Sequence, residues 1–136
     1  MAPGAPADDA PVHSAGRVGW LLEHTGNRFV LLLFADDAAH PTAAQREAIA
    51  GLATDRIPVQ VLIVVRRGAH GTGGADVIVD HEGLVARRFD ARSGTAYLLR
   101  PDQHVAARWR GFDAAAVRTA VARATCNLRE SAPCNT

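Results

Sequence analysis

A chain of 136 residues, 48% of them hydrophobic, supports one domain with one core and is too short for a second domain of ordinary size. Its 15 basic residues, every one an arginine, nearly balance 14 acidic ones, so no net field pulls the chain toward nucleic acid or a membrane. No run approaches the roughly 20 apolar residues of a membrane span, and the opening MAPGAPADDAPVHSAG lacks the basic and apolar segments of a secretory signal, so a cytoplasmic location is expected.

Residues 1–16 hold three of the seven prolines and few apolar anchors, and read as an extended N-terminal arm that either wanders or lies across another surface. A domain is expected over 17–126, followed by a polar C-terminal tail over 127–136. The segment GWLLEHTGN (19–27) reads as a short strand or turn that carries Trp20, Leu21 and Leu22 into the core, with Trp20 as a packing anchor. The runs RFVLLLF (28–34) and VQVLIVV (59–65) are continuous apolar stretches bounded by polar breaks, as strands buried on both faces should be.

Between these strands, Thr42 followed by Gln45 makes a capping-box pattern that should start a helix, with Ala48, Ile49, Leu52 and Ala53 on one stripe and Pro58 beyond its end. Strand, helix and strand in this order imply a right-handed crossover between parallel neighbours. Next, RRGAHGTGGADV (66–77) reads as a Gly-rich loop. DHEGLVARRFDA (80–91) reads as a short helix in which Leu84, Val85, Arg88 and Phe89 share a face.

The stretch GTAYLLRPDQHVAARW (94–109) is expected to be a hairpin. TAYLL and HVAARW flank a Pro101-Asp102-Gln103 turn of type I, and in the second strand Val105, Ala107 and Trp109 should point opposite to His104, Ala106 and Arg108. Its second strand should be an edge, discouraged from pairing by its arginines. Asp113 is the expected N-cap of a last helix whose core stripe is Val117, Ala120, Val121 and Ala124.

The element order β-α-β then α-β-β-α is that of the thioredoxin fold, an α/β fold with a mixed central sheet and helices on both faces. Such a fold does redox chemistry with a thiolate at the N-terminus of its first crossover helix, where the helix dipole lowers the thiol pKa. Here that position is ADDAAHPT (35–42), which has no cysteine; Asp36 and Asp37 read as solvated residues that favour the helix start. Where redox-active members place a cis-proline before the hairpin, this chain has Ser93-Gly94-Thr95. Cys126 and Cys134 lie beyond the last helix, either as free thiols, the expectation in a reducing compartment, or closed into a small loop.

His13, His24, His40, His70, His81 and His104 never fall at the i, i+2 or i, i+4 spacing that presents two imidazoles to one metal, and Asp80-His81-Glu82 reads as a helix cap with early-turn acids. The GTGG of 71–74 lacks the rest of a dinucleotide or P-loop fingerprint. Ser14, Ser93 and Ser131 sit in no nucleophile elbow. The pairs Arg66-Arg67 and Arg87-Arg88 and the group Arg100, Arg108 and Arg110 are interleaved with acids, which favours solvated faces over a nucleic-acid stripe beside Tyr97 and Trp109.

The segments APADDAPV, RFVLLLF, HEGLVARRFDA and above all GTAYLLRPDQHVAARW, followed by an alanine-rich last helix, resemble the C-terminal thioredoxin-like domain of FAD-dependent aromatic-ring hydroxylases. These are flavoprotein monooxygenases of the phenol hydroxylase and 3-(3-hydroxyphenyl)propionate hydroxylase type. The resemblance runs from about Pro3 to Thr125, and is most specific over Tyr97–Trp109. It implies an accessory domain without redox cysteines that packs against the flavin-bearing part and contributes to subunit contacts. FAD is then expected only in an associated flavoprotein domain or partner, and this chain should carry no catalytic, cofactor-binding or metal-binding residue of its own. A homodimer is a further expectation; nucleic acid and membrane are not expected partners. The rival reading is a stand-alone small-ligand binder or enzyme that uses the vacant thioredoxin-type cleft, lined by Asp36, Asp37, His40 and Thr95. Residual thiol chemistry through Cys126 and Cys134 is a third.

Overall fold

Both long apolar runs become neighbouring strands at the centre of a mixed sheet. The computed structural model describes residues 1–36, 42–67 and 76–125. Expectations resting on Asp37, His40, His70, the GTGG of 71–74, Cys126 and Cys134 lie outside the described residues. Within them the chain runs β1 (Pro11–Ser14), β2 (Arg17–Trp20), a 3-10 turn (Leu21–His24), β3 (Phe29–Ala35), α1 (Ala43–Ala53), β4 (Val59–Arg66), β5 (Val77–Asp80), α2 (Leu84–Arg88), β6 (Ala96–Leu99), β7 (Val105–Trp109) and α3 (Ala114–Ala124). The seven strands lie in the order β2-β1-β5-β4-β3-β6-β7.

The expected crossover is present: β3 and β4 pair in parallel from Phe29 with Val59 to Ala35 with Val65. The Thr42 hydroxyl accepts from the Gln45 N–H at 3.3 Å, and the Gln45 side chain accepts from the Thr42 N–H at 2.9 Å, so the capping box starts α1 as its sequence requires. On the other side of β3, β6 runs antiparallel and continues into β7.

Alternation along β3 divides the core into two layers. Phe29, Leu31 and Leu33 pack with Leu52 of α1 and with Val117 and Val121 of α3. Val30, Leu32 and Phe34 pack on the opposite face with Val85 and Phe89 around α2 and with Leu21 of the 3-10 turn. Each of these side chains leaves water almost fully, which contributes about 1.5–3 kcal/mol apiece. Tyr97, Leu98 and Leu99 are all buried because both faces of β6 are covered. Asp113 caps α3 by accepting from the Ala115 and Ala116 N–H groups at 3.0 and 3.4 Å.

Four departures from the sequence reading have physical causes. Residues 66–77 were expected as loop throughout, but Val77 begins β5, which pairs in parallel with β4; only four residues long, it carries too little periodicity to announce itself. The expected helix over 80–91 contracts to Leu84–Arg88, because Asp80 still belongs to β5. In the last turns of α1 and α3 the stripe residues Ala53 and Ala124 are exposed. Finally, Val105 does not share a face with Ala107 and Trp109. A bulge at Leu98/Leu99 sets Leu98 opposite Ala107 but Leu99 opposite Val105, so Val105 joins the α2 layer while Ala107 and Trp109 pack on the α1/α3 layer.

The N-terminal residues lie across the domain's own surface. Gly4 N–H donates to the Val105 carbonyl at 2.7 Å, Val105 N–H to Ala5 at 2.8 Å, and Ala7 N–H to Gln103 at 2.9 Å, so residues 4–7 run along the outer side of β7. Ala7 and Ala10 are buried in the α2 layer, and β1 then joins the sheet near its other margin, paired with β5 and β2. The strap thus ties one sheet margin to the other.

Candidate functional site

In a thioredoxin-type fold, chemistry belongs at the C-terminal ends of β3 and β4, the end marked here by Asp36 and Arg66. A cavity of about 150 Å³ lies there, lined in part by Phe34, Asp36, Arg66, Asp80 and Arg92. Thr95, which should line the same cleft, instead faces a separate cavity of about 100 Å³ with Tyr97 and Arg108. Asp36 and Thr95 therefore do not converge. Between them sits an aromatic cluster: Phe89 and Tyr97 meet edge to face with ring centroids 5.0 Å apart, and Phe34 lies 6.2 Å from Phe89. The Tyr97 hydroxyl donates to the Phe89 carbonyl and so fixes the ring.

The Ser93-Gly94-Thr95 segment is held by backbone. Gly94 N–H donates to the Phe34 carbonyl at 2.7 Å, Phe34 N–H donates to the Thr95 carbonyl at 2.9 Å, and the Thr95 hydroxyl accepts from the Arg92 N–H at 3.0 Å. Gly94 has φ +94, and a Cβ there would sit 3.4 Å from the Arg110 carbonyl, so this position needs glycine.

Asp80 caps α2 from the end of β5, although Gly83 occupies the N-cap position and, contrary to expectation, no acid lies in the first turn. Asp80 is 5% exposed, and its two carboxylate oxygens accept from the Val85 and Ala86 N–H groups at 3.0 and 2.9 Å. The fold stacks His13 of β1 on His81 with centroids 4.0 Å apart, a contact the sequence spacing could not show. Among the described residues no group of three or more His, Cys, Asp or Glu side chains is placed to hold a metal.

In the hairpin turn, Gln103 N–H donates to the Arg100 carbonyl at 2.8 Å, the bond expected of a type I turn, and Gln103 itself has φ +64. Arg100 grips Asp102 with two nitrogens. This charge-assisted bond, with the His104 N–H as a lesser donor, holds the Asp102 carboxyl down at about 2. Of the residues grouped as a basic stripe, Tyr97 is buried, Arg100 is matched to Asp102, and Arg88 donates to the Asp9 carbonyl. A cavity of about 340 Å³ lies between the segment after α1 and α3, with Ile57 and Val121 in its wall beside the Arg118–Asp55 ion pair at 2.7 Å.

Trp20 is not the packing anchor its type suggests. It is 51% exposed, and Val18, two residues earlier, is 76% exposed. Alternation puts both on one side of β2, the outermost strand of its margin, while Leu21 is fully buried and Leu22 packs half-buried against the same core, as expected of them. The two-residue turn Ala15-Gly16, at φ +51 and +77, joins β1 to β2 and orients them. Alanine is so unusual in a left-handed turn position that the sequence hides this hairpin, and with it the exposed pair.

The family model of the HcaD C-terminal domain matches residues 11–124. This chain belongs to the HcaD C-terminal domain family. A search of the curated proteins finds no match. Among solved structures, the HcaD-type domain is similar to the flavin-dependent monooxygenase PieE, a structure with FAD and substrate, at 28% identity and TM-score 0.64 over 89% of this chain and 19% of that one. Aklavinone-11 hydroxylase, in a ternary complex with FAD and aklavinone, gives 21% and 0.64 over 86% of this chain and 20% of that one. The exposed lipoprotein thioredoxin of Streptococcus pneumoniae gives 18% and 0.60 over 84% of this chain and 98% of that one. These last two show the shared fold, so the HcaD-type domain is thioredoxin-like, as its element order implied. It spans about a fifth of the length of the monooxygenases it matches. The resemblance to FAD-dependent monooxygenases read from its sequence is borne out.

Proposed function

We propose that this HcaD-type domain is a non-catalytic accessory domain that works in the cytoplasm by contact with an FAD-dependent aromatic-ring monooxygenase. The flavoprotein holds the FAD, and this chain supplies surface. The observation that carries the reading is the Val18–Trp20 pair, two large apolar side chains left in water on an edge strand, because an exposed tryptophan is the residue type that interfaces bury to greatest effect. The cysteine-free segment 35–42 agrees with it, since no thiolate stands where the fold would activate one.

Light scattering on the full chain, alone and mixed with an FAD-loaded aromatic-ring monooxygenase from the same genome, tests the proposal. A complex that is lost in a Val18→Ser/Trp20→Ser variant of unchanged thermal stability supports it. A strict monomer that ignores the flavoprotein overturns it, and a self-associating chain lost in the same variant would make homodimerisation the role of this edge. The ligand-binding rival is disfavoured by the 150 Å³ of the β3–β4 cavity, about half the lower bound for ordinary small-molecule sites, and by the separation of Asp36 from Thr95. Thiol chemistry through Cys126 and Cys134 predicts insulin reduction that disappears in a double Cys→Ser variant; the accessory reading predicts none at the outset.

A further inference from the structure

We infer that the cavity at the Arg108–Arg110 end of β7 is a carboxylate socket, the seat of one acidic side chain presented by the flavoprotein partner; the partner's identity rests on the contact reading above. The cavity of about 100 Å³ is lined by Asp90, Thr95, Tyr97, Arg108, Trp109 and Arg110. That volume is below the roughly 150 Å³ of a cavity that seats a benzene ring, which favours a small oxyanion over an aromatic or sugar ring.

Neither guanidinium is matched to a carboxylate among the described residues. The Arg110 guanidinium pairs with none of the described residues. Arg108 donates to the Met1 carbonyl at 3.2 Å and to the Tyr97 hydroxyl at 3.4 Å, but to no carboxylate. Arg100 and Arg118, by contrast, are each matched to an aspartate. The Tyr97 hydroxyl hydrogen is committed to the Phe89 carbonyl, so the two guanidinium forks are what a guest would meet. A planar fork of N–H donors fits a carboxylate with two parallel bonds. Asp90 lies on the same wall and opposes an anion, which leaves two positive charges against one negative and supplies a test of sign. Position favours an approaching protein surface: the strap over residues 4–7 occupies the outer side of β7 at Gln103–Val105, and both arginines beyond it are exposed.

The test titrates the full chain with sodium acetate and separately with inorganic phosphate at constant ionic strength, following the arginine side-chain and Trp109 indole signals by NMR. Saturable shifts with acetate are expected, weakened about tenfold or more by Arg110→Gln and strengthened by Asp90→Asn. Arg110→Gln removes no side-chain hydrogen bond or ion pair among the described residues, and an unchanged thermal unfolding midpoint verifies that the variant is folded. Acetate without effect overturns the socket. Phosphate binding that outcompetes acetate reassigns it to a free oxyanion and overturns the side-chain guest. In a second arm the affinity for the FAD-loaded monooxygenase should fall about tenfold with Arg110→Gln. Undiminished affinity there overturns the partner assignment while the contact reading stands. A wild-type chain that ignores the flavoprotein overturns both the contact reading and the assigned guest, and leaves the acetate arm to decide the socket.

Discussion

The side-chain amide of Gln103, at the tip of the β6–β7 hairpin, donates to the Thr25 hydroxyl at 2.8 Å and to the Leu22 carbonyl beside it at 2.9 Å. The turn that interrupts two apolar runs is thus a clamp on the end of the 3-10 turn, reinforced by Asn27 N–H donating to the Pro101 carbonyl at 2.9 Å. Gln103→Asn keeps a residue tolerant of the left-handed backbone but too short to reach, and should cost about 1–2 kcal/mol in urea unfolding. An unchanged midpoint would show that the clamp contributes nothing.

Asp80 satisfies two buried N–H groups at the start of α2 with a single carboxylate. Asp80→Ala strands both donors and should destabilise by about 2–4 kcal/mol, with Asp80→Asn intermediate because the amide can accept at only one of its two atoms. Amide exchange at Val85 and Ala86 should quicken more than exchange in β3. Equal acceleration everywhere would mean that only global unfolding was affected.

Asp102 supplies the pH dependence. Its carboxyl titrates near 2 in the folded chain, below an ordinary value of 3.8, chiefly because Arg100 hydrogen-bonds the ionised form. Between those values the unfolded chain binds more protons, so the interaction is complete above the ordinary carboxylate range and is lost as pH falls toward 2. The pair is solvent-exposed, and the sensitive readout is the carboxyl carbon shift rather than global stability. Arg100→Gln should return the Asp102 titration most of the way to 3.8.

The strap predicts a further outcome. Removing residues 2–7 deletes three backbone hydrogen bonds to β7 and its turn, and should lower stability by about 1–3 kcal/mol. It also uncovers the outer side of Val105, so the shortened chain should associate with rising concentration in light scattering. A stable monomer would place the strap's role elsewhere.

Local chemistry made much of this fold legible. The β3 and β4 runs are apolar through Phe29–Ala35 and, apart from Gln60, through Val59–Val65 because both faces are covered, and Thr42, Gln45 and Asp113 announce helix starts that the structure keeps. What escaped depended on long-range contact. Ala7 and Ala10 look like loop residues until the α2 layer closes over them, and β5 is too short to show a period. Trp20 was misplaced because residue type alone suggests burial, whereas its direction follows from an Ala15-Gly16 turn that no common turn signature marks. Of the cleft residues, Asp36 and Thr95 were legible as neighbours of the expected site, but only the fold shows that they open into different cavities.

The bulge opposite Leu99 decides which layer of the molecule carries charge. With strict alternation from Val105 onward, Arg108 and Arg110 would project toward α1 and α3, forcing two guanidinium groups against Val117 and Val121. One additional residue rotates the rest of β7 by half a period, delivers Ala107 and Trp109 to that apolar layer, and releases both cations beside Tyr97. Deleting Ala106 should therefore straighten this margin into a regular ladder that still sends Ala107 and Trp109 to the apolar layer and Arg108 to the side of Tyr97, so the shortened domain should fold with its seam intact.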